Sequence, residues 1–288
     1  MEYHRPTSFA EAAKLAASAT GVTRVLAGGT DVLVQMRADI VTPDTLIDIK
    51  SIQGVRDIRQ EDDGSWTIGA AVAGAEMTEH GALSSAWPGV VEAMDLIGST
   101  QVQGRATLVG NLCNASPAAD SVPAMVAANA TVSITGPDGT RSAAARDIPT
   151  APGKTTLKPG ELITAVHLPS PSSDQGDAYL RFIPRTEMDI AVVGCGVWLR
   201  LDGDQIADAR VALGAVAPTV LLVDACADAL IGSTLDDAAL EQLAAAASVA
   251  CMPITDKRGT IAFRTQVAGV MARRAAEIAY TRAKGDTA

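Results

Sequence analysis

Two short glycine-containing segments carry the residue types most suited to binding a ligand. Residues 25–31 read Val-Leu-Ala-Gly-Gly-Thr-Asp, and residues 106–111 read Ala-Thr-Leu-Val-Gly-Asn. Paired glycines after an apolar run let the backbone turn tightly and approach a ligand that side chains would exclude. Thr30, Thr107 and Asn111 add neutral hydrogen-bonding groups suited to a pyrophosphate or a ribityl chain. Since about one subdomain separates the two loops, they indicate a long ligand held at two points, such as a dinucleotide.

Each loop also has a plain structural interpretation. Residues 28–31 lack the GxGxxG and GK[ST] patterns. On their own they are therefore as typical of an ordinary strand-to-helix turn as of a ligand-binding loop. Residues 109–111 could form a simple bulge, because asparagine tolerates the left-handed conformation. Asp120 follows the run Ala-Ser-Pro-Ala-Ala and is in a position where a helix cap is the commoner role. As a ligand group, its carboxylate suits a hydroxyl donor rather than a phosphate.

The sequence predicts neither a catalytic residue nor a metal site. No Ser/His/Asp or Cys/His arrangement stands out, and no acid–base pair is evident. The cysteines have no CxxC spacing and cannot form a closely spaced four-thiolate iron–sulfur site. The histidines are equally dispersed. Scattered thiols are typical of small buried apolar residues in a reducing cytoplasm, where we expect the chain to be located. The four cysteines are Cys113, Cys195, Cys226 and Cys251, and the three histidines are His4, His80 and His167.

Composition narrows the class of protein. The chain has 288 residues, of which 48% are hydrophobic, 19% charged and 3% aromatic, so its cores are built mainly from Ala, Val, Leu and Ile. The net charge of −10 argues against nucleic acid as a partner, because that interaction needs clustered Lys and Arg. No apolar run reaches 18 residues, and the N-terminus lacks the layout of a signal peptide, so we expect no membrane span.

The element pattern predicts three structural units. A capping box at Ser8 to Glu11, a strand at 23–27, a short helix and a strand at 45–49 make a β-α-β unit within residues 1–55. A second unit covers residues 56–172. The run Pro-Ser-Pro-Ser-Ser-Asp-Gln-Gly at 169–176 is the clearest boundary.

The third unit, residues 177–284, has a different pattern. Three strand candidates are followed by three helical stretches, which predicts a three-stranded sheet backed by helices. The last two strands are joined by Asp202-Gly203-Asp204-Gln205, a good hairpin turn. The strands are predicted at 179–183, 190–201 and 206–214, and the helices at 222–231, 236–251 and 260–284.

Taken together, these segments resemble the FAD-binding medium subunit of molybdenum hydroxylases, the family of xanthine dehydrogenase and aerobic carbon monoxide dehydrogenase. The resemblance runs from Tyr3-His4-Arg5-Pro6 to the closing helix at 271–275, and its specificity lies in the two loops followed by ASPxxD at 115–120. It implies an α+β fold. A two-subdomain FAD-binding domain of the vanillyl-alcohol-oxidase type would precede a C-terminal three-stranded antiparallel sheet with a helical bundle.

The resemblance also implies which residues hold FAD between the two N-terminal subdomains. Backbone N–H groups of residues 27–31 would wrap the pyrophosphate, and the segment from Thr107 to Asn111 would form a second cradle. Asp120 would bind ribityl or ribose hydroxyls. Two isoleucines match apolar cofactor contacts, and Arg181 matches a basic residue near the flavin. The implied cofactor-binding residues are Ala27, Gly28, Gly29, Thr30, Asp31, Ile97, Thr107, Gly110, Asn111, Asp120, Ile163 and Arg181.

The chain departs from the family pattern at the second loop. The family usually reads TIGGN there, whereas residues 107–111 read Thr-Leu-Val-Gly-Asn. Because valine disfavours a positive φ, we expect the turn at Val109 to be reshaped. The Arg-Asn pair usual in the family is replaced by Gln103-Gly104.

The activity implied by the resemblance is electron transfer. Substrate would be hydroxylated at a molybdopterin cofactor in a large partner subunit. Electrons would pass through [2Fe–2S] clusters of a small partner subunit to FAD on this chain, and then to an external acceptor, in a dimer of heterotrimers. The flavin carries the chemistry. Two alternatives remain open: a stand-alone FAD oxidase or reductase, which would turn over by itself, and a scaffold that has lost FAD.

Overall fold

The computed structural model of the chain describes residues 1–186 and 188–285. Its strands form four sheets. In chain order they are β1 Glu2–His4, β2 Thr23–Leu26, β3 Thr45–Asp48, β4 Ile58–Gln60, β5 Trp66–Gly69, β6 Thr131–Gly136, β7 Gly139–Ala144, β8 Pro149–Ala151, β9 Lys154–Thr155, β10 Leu162–Leu168, β11 Gln175–Phe182, β12 Val193–Asp202, β13 Gln205–Gly214 and β14 Leu221–Leu222.

The helices are mostly short in the first two thirds of the chain and longer at its end. They are α1 Phe9–Ser18, α2 Val32–Arg37, α3 Gly74–Glu79, α4 Gly81–Ala86, α5 Pro88–Asp95, α6 Thr100–Gln103, α7 Leu108–Asn114, α8 Ser121–Ala127, α9 Asp224–Leu230, α10 Asp237–Ala250 and α11 Ile261–Ala283. Two single 3-10 turns lie at Ile49–Ser51 and Ala145–Asp147. The predicted helices and strands are present, and their observed ends differ from the predicted ends by a few residues. Such differences are expected because capping residues, rather than apolar periodicity, set the boundaries of these elements.

The N-terminal sheet is parallel, with the strand order β1-β3-β2. The predicted cap of α1 is present, since the Ser8 hydroxyl accepts a hydrogen bond from the Glu11 N–H at 3.2 Å. The Glu11 carboxylate in turn accepts from the Thr7 N–H at 2.8 Å. The crossover from β2 through α2 to the parallel strand β3 places the residue 27–31 turn at the carboxyl end of β2. That end of a parallel sheet is where ligands usually bind.

The second sheet is antiparallel, with the order β4-β5-β10-β6-β7, and it contributes to the larger of two hydrophobic cores. The central strands β5, β10 and β6 contribute buried side chains that include Ile68, Val166 and Val132. Helices α1 and α7 pack against β10, and α3 packs against α5. The two-stranded ribbon of β8 and β9 lies beside α7.

The C-terminal sheet contains the three predicted strands and one more. Its order is β11-β12-β13-β14, all antiparallel, and the hairpin from Asp202 to Gln205 forms where it was predicted. The two-residue strand β14 pairs with Ala212 and Leu213 and was not predicted, because an apolar pair has no detectable alternation. Strand β11 begins at Gln175, inside the polar run expected to be a linker.

The C-terminal sheet buries both of its faces. Residues Cys195, Val197 and Leu199 of β12 point toward the second core, which is closed by α9, α10 and α11. The intervening residue Trp198 belongs to the first core, and helix α8 packs against β12 and β13 on that side. Since side chains alternate along a strand, β12 separates a helical bundle from the preceding sheets.

Glycines on the α8 side of this sheet let the helix lie directly on the strand backbone. A Cβ atom at Gly196 would be 2.6 Å from the Pro123 carbonyl oxygen, and one at Gly214 would be 2.7 Å from the Pro123 ring. Arg210 donates to the carbonyl of Ala127, the last residue of α8, at 2.8 Å. These contacts fix both the depth and the C-terminal end of α8 against the sheet.

A polar network around the buried Asp177 also joins the C-terminal sheet to α5. The Asp177 carboxylate accepts from the Val90 N–H at 3.2 Å, in the first turn of α5. Arg282 of α11 donates to the Asp177 carbonyl at 2.8 Å and forms an ion pair with Glu92. Burial raises the pKa of Asp177 to about 7. The first turn of α5, the start of β11 and the end of α11 are therefore held together.

We predict that Gly196→Ala destabilises the protein, because the new methyl group meets backbone atoms of Pro123 that cannot move independently of α8. Overpacking of this kind costs about 1–3 kcal/mol of unfolding free energy. Urea unfolding followed by circular dichroism measures the change. Gly81→Ala is the matched control, since a Cβ at Gly81 has no heavy atom within 4 Å. Equal stabilities for the two variants would contradict the close approach.

Candidate cofactor site

The first glycine loop turns the chain from β2 into α2. Gly29 has φ +82°, a conformation that side-chain-bearing residues rarely adopt. Its carbonyl accepts from the Leu33 N–H at 3.1 Å, and the Asp31 carbonyl accepts from the Gln35 N–H at 2.9 Å, so the loop leads directly into the first turn of the helix. The backbone N–H groups of Gly28, Gly29, Thr30 and Asp31 donate to no protein group within residues 1–186 and 188–285. Four successive free donors beside a helix N-terminus favour an anion.

The second segment is a helix, not a loop. Thr107 is the N-cap of α7, and its hydroxyl accepts from the Gly110 N–H at 2.9 Å. Val109 is therefore the second helical residue and has no positive φ. Threonine capping accounts for the geometry, because it satisfies one of the N-terminal N–H groups of the helix. The N–H groups of Leu108 and Val109 have no acceptor within the part of the chain that is described.

The two segments meet at Gly28. A Cβ atom at Gly28 would lie only 1.8 Å from the Arg105 carbonyl oxygen and 3.3 Å from the Ala106 Cα, so only glycine permits this approach. A second link joins the helices that follow. The Asp31 carboxylate accepts from the Asn114 side-chain amide at 3.1 Å, and Gln35 contributes a long hydrogen bond to Asn114 at 3.4 Å. Burial raises the pKa of Asp31.

Asn111 links α7 to α8 through its side-chain oxygen. Its side-chain oxygen accepts from the Ser121 hydroxyl at 2.7 Å and from the Ser121 N–H at 3.2 Å, which ties α7 to α8. These bonds fix the orientation of the amide. The amide nitrogen donates to none of the described residues, so it remains available to a ligand.

Asp120 lies at the N-terminal end of α8 and forms a buried ion pair. One carboxylate oxygen accepts from the Tyr179 hydroxyl at 3.0 Å, and the other accepts from Arg181 Nη1 at 2.9 Å. Burial raises the pKa of Asp120 to about 6, although the Arg181 charge and the Tyr179 hydrogen bond both lower it. Arg181 Nε is buried and has no partner among the described residues. The fold thus brings together Asp120 and Arg181, two residues that were predicted separately as members of the site.

The two predicted apolar contacts are placed differently. Ile163 is 3% exposed and lies on β10 in the first hydrophobic core. Ile97 follows α5 and packs against the same core while remaining partly exposed. Of the two, Ile97 is the one with surface left for a ligand.

Lys50 and Tyr179 were missed by the sequence reasoning. Lys50 Nζ donates to the carbonyl of Ala27 at 3.2 Å and pairs with Asp48 at 2.7 Å, which puts a cation beside the glycine loop. The sequence feature that could have identified Lys50 is its position just after β3, the strand next to β2. Tyr179 is two residues before Arg181 on one strand, so the strand period already predicted a shared face.

Two family models match consecutive parts of the chain. Residues 1–171 match the family model described as the FAD binding domain in molybdopterin dehydrogenase. Residues 178–279 match the CO dehydrogenase flavoprotein C-terminal domain. The chain belongs to the family of FAD-binding medium subunits of molybdenum hydroxylases. It is a flavoprotein subunit of a molybdenum-containing oxidoreductase.

Individual relatives cover nearly the whole chain. The carbon monoxide dehydrogenase medium chain of Afipia carboxidovorans is 35% identical over 288 residues, covering 98% of each chain. The xanthine dehydrogenase FAD-binding subunit of Escherichia coli O157:H7 is 29% identical and covers 98% of this chain and 97% of its own. A solved structure of carbon monoxide dehydrogenase from Hydrogenophaga pseudoflava, lacking the Mo-pyranopterin moiety, superposes with a TM-score of 0.93 at 32% identity and 98% coverage of both chains.

The groups present fit FAD. The free N–H donors of the first loop and of α7 suit an anionic pyrophosphate, and the missing side chain at Gly28 lets the first loop lie directly against the Arg105 carbonyl that precedes α7. The Asp120 carboxylate suits sugar or ribityl hydroxyls. The buried, unpartnered Nε of Arg181 is a donor with no other assigned acceptor. No group of three or more His, Cys, Asp or Glu in the described ranges is placed to hold a metal ion. Within the same ranges, no helix combines the length and the apolar character required to cross a membrane.

We predict that Gly28→Ala weakens FAD binding and lowers the unfolding free energy by about 1–3 kcal/mol, because the new Cβ overlaps the Arg105 carbonyl. Flavin content after gel filtration and urea unfolding measure the two effects. Gly104→Ala is the matched control, since its Cβ would meet only ordinary contacts at 3.7 and 3.8 Å. Full flavin retention by Gly28→Ala would contradict the idea that the meeting of the two segments builds the site.

Proposed function

We propose that this chain holds FAD between the first glycine loop and helix α7 and acts as the electron-transfer subunit of a molybdenum hydroxylase. Electrons would arrive from [2Fe–2S] clusters of a small partner subunit and leave to an external acceptor. The observation that carries the proposal is the contact at Gly28, which brings two sets of unpartnered N–H groups to one place. The similarity to subunits of carbon monoxide and xanthine dehydrogenases supports the same role.

The chain's residues would bind and orient the cofactor. The N–H groups of residues 28–31 would hold the pyrophosphate, with the Lys50 charge nearby. Leu108, Val109 and the Asn111 amide would supply the second set of donors, and Asp120 would accept from hydroxyl groups. Bound FAD supplies the redox chemistry. Arg181, fixed by Asp120, would place a positive charge close to the flavin.

Of the remaining members of the proposed site, Ala27 and Thr30 would contact the pyrophosphate, while Thr107 and Gly110 would set the start of α7. Asp31 would act through Asn114, because its carboxylate already accepts from that amide. This assignment avoids placing a carboxylate against a phosphate, since like charges repel.

Partner subunits would carry the molybdenum cofactor and the iron–sulfur clusters, and we infer a dimer of heterotrimers. Relatives are named as chains or subunits of complexes, which supports a multi-subunit assembly. Large apolar side chains exposed at the end of α10, in the following connection and at the start of α11 provide surface for such contacts. They are Val249 at 86% exposure, Met252 at 66%, Ile254 at 70% and Ile261 at 51%.

We further infer a cytoplasmic location and three structural units. All four cysteines are free within the described structure, which suits a reducing compartment. The proposed units are residues 1–55, 56–172 and 177–284. The first contains β1 to β3 and the second β4 to β10, whereas β11 begins at Gln175, just before the third unit.

The purified chain, incubated with FAD and then desalted, is expected to retain a flavin absorption spectrum that is released on denaturation. Retention follows from the free N–H donors and from the buried Arg181 and Asp120 pair. The measurement is the visible spectrum with quantification of flavin per chain. Failure to retain flavin with excess FAD, in a chain that is folded by circular dichroism, would overturn the assignment of the site to this chain alone.

An assay of substrate turnover by the isolated chain distinguishes an electron-transfer subunit from a stand-alone oxidase. The flavin-loaded chain by itself is expected to show no substrate oxidation, because the proposal places the oxidation of substrate on a partner subunit. Co-expression with genes for a molybdenum subunit and an iron–sulfur subunit is expected to give a complex with activity. Substrate-dependent flavin reduction by the isolated chain would favour the oxidase instead.

A further inference from the structure

Tyr179 has a role that the loops do not explain. We propose that Tyr179 is a positioning residue, whose hydroxyl keeps the Asp120 carboxylate ionised and oriented toward the hydroxyl groups of the cofactor. The inference rests on the proposed FAD site and adds to it a residue without any direct cofactor contact. It follows from three features: the hydrogen bond to Asp120, the space made for the phenol, and the charges around the pair.

The hydrogen-bond geometry holds both oxygens of the carboxylate. Tyr179 Oη donates to Asp120 Oδ1 at 3.0 Å, while Arg181 Nη1 donates to Oδ2 at 2.9 Å. Both donors come from β11, two residues apart on one face. Held at two points, the carboxylate cannot rotate freely. An ionised carboxylate has about four acceptor positions, so positions remain for hydroxyl donors of a ligand.

The sheet is shaped to admit the phenol ring. Tyr179 is 2% exposed, and a Cβ atom at Gly194, on the neighbouring strand, would lie 2.6 Å from its hydroxyl oxygen. A buried hydroxyl is costly unless it is hydrogen-bonded. Asp120 is the only acceptor that the described residues give this hydroxyl, so the placement of the ring is tied to the carboxylate.

The Tyr179 hydrogen bond and the Arg181 charge both favour the ionised form of Asp120 against the effect of burial. The groups that face Asp120 are Arg181, which favours the charged carboxylate, and the Tyr179 hydroxyl, which donates to it. The Cys195 thiol of the neighbouring strand β12 points into the second core, and burial raises its pKa, so it stays neutral and adds no charge beside Tyr179. Burial and the neighbouring carboxylate also raise the pKa of Tyr179, which therefore remains a donor across the working pH range.

The consequence is a specific pH dependence of FAD binding. With a pKa of about 6, Asp120 gains a proton as the pH falls below that value, and the protonated group accepts less well from a hydroxyl. FAD affinity is therefore expected to fall below about pH 6. Removing the Tyr179 hydroxyl removes a bond to the charged form, so the pKa of Asp120 rises and the fall begins at higher pH.

The test is the FAD dissociation constant of the full chain, measured by flavin fluorescence between pH 5 and pH 9. In Tyr179→Phe the midpoint of the pH dependence is expected to move upward by roughly one pH unit, while affinity at pH 9 stays close to that of the wild type. Tyr280→Phe is the matched control. Its hydroxyl donates to the Asp204 carbonyl at 2.7 Å, away from the site, so its profile is expected to match the wild type.

Two outcomes would overturn the proposal. One is an unchanged pH midpoint in Tyr179→Phe. The other is a uniform loss of affinity at every pH, since a merely structural loosening would act at all pH values alike. If the wild-type chain binds no FAD, the proposed function itself fails, so the two failures are distinguishable.

A second variant keeps the test decisive if Tyr179→Phe does not fold. With Tyr3 and Tyr280 replaced by phenylalanine, biosynthetic incorporation of 3-fluorotyrosine labels position 179 alone. The more acidic phenol is a stronger donor, so the pH midpoint is expected to move downward relative to the unlabelled double variant. A midpoint that is unchanged or moves upward would contradict the proposal.

Discussion

The close packing of helix α8 on the C-terminal sheet is the contact on which the site depends. Gly196 and Gly214 leave no side chain between the strand backbone and Pro123, so the helix settles at a fixed depth. Because interiors are close-packed, that depth cannot vary without a cost. It brings the N-terminal end of α8, with Asp120, within hydrogen-bond distance of Tyr179 and Arg181 on β11.

The same contact makes a buried charge tolerable. A carboxylate and a guanidinium removed from water lose hydration, and only good geometry offsets the loss. Asp120 has both oxygens engaged, whereas Arg181 keeps one buried N–H without a partner in the described structure. An ion pair whose carboxylate has partners at both oxygens, while its guanidinium keeps a buried N–H without a partner, is typical of a ligand site rather than of a structural salt bridge.

Backbone donors and one ion pair suffice for a subunit that positions a redox cofactor. FAD brings its own chemistry, so the chain needs tight binding and orientation rather than a proton-transferring side chain. The two helix N-termini offer N–H groups whose directions are fixed by the fold. The links from Asp31 to Asn114 and from Asn111 to Ser121 keep α2, α7 and α8 in register with one another.

The sequence by itself determined the β-α-β start, the hairpin at Gly203, the three C-terminal strands and helices, and the family, because turn residues and apolar periodicity act locally. Only the tertiary structure decided that residues 108–114 are helical, that Val109 needs no special backbone, and that Ile163 is buried. It also decided that Gly28 touches Arg105 and that Tyr179 reaches Asp120. The contacts between Tyr179 and Asp120 and between Gly28 and Arg105 join residues that are 59 and 77 positions apart. The local conformational preferences of a segment carry no information about which distant backbone will fill the space beside a glycine.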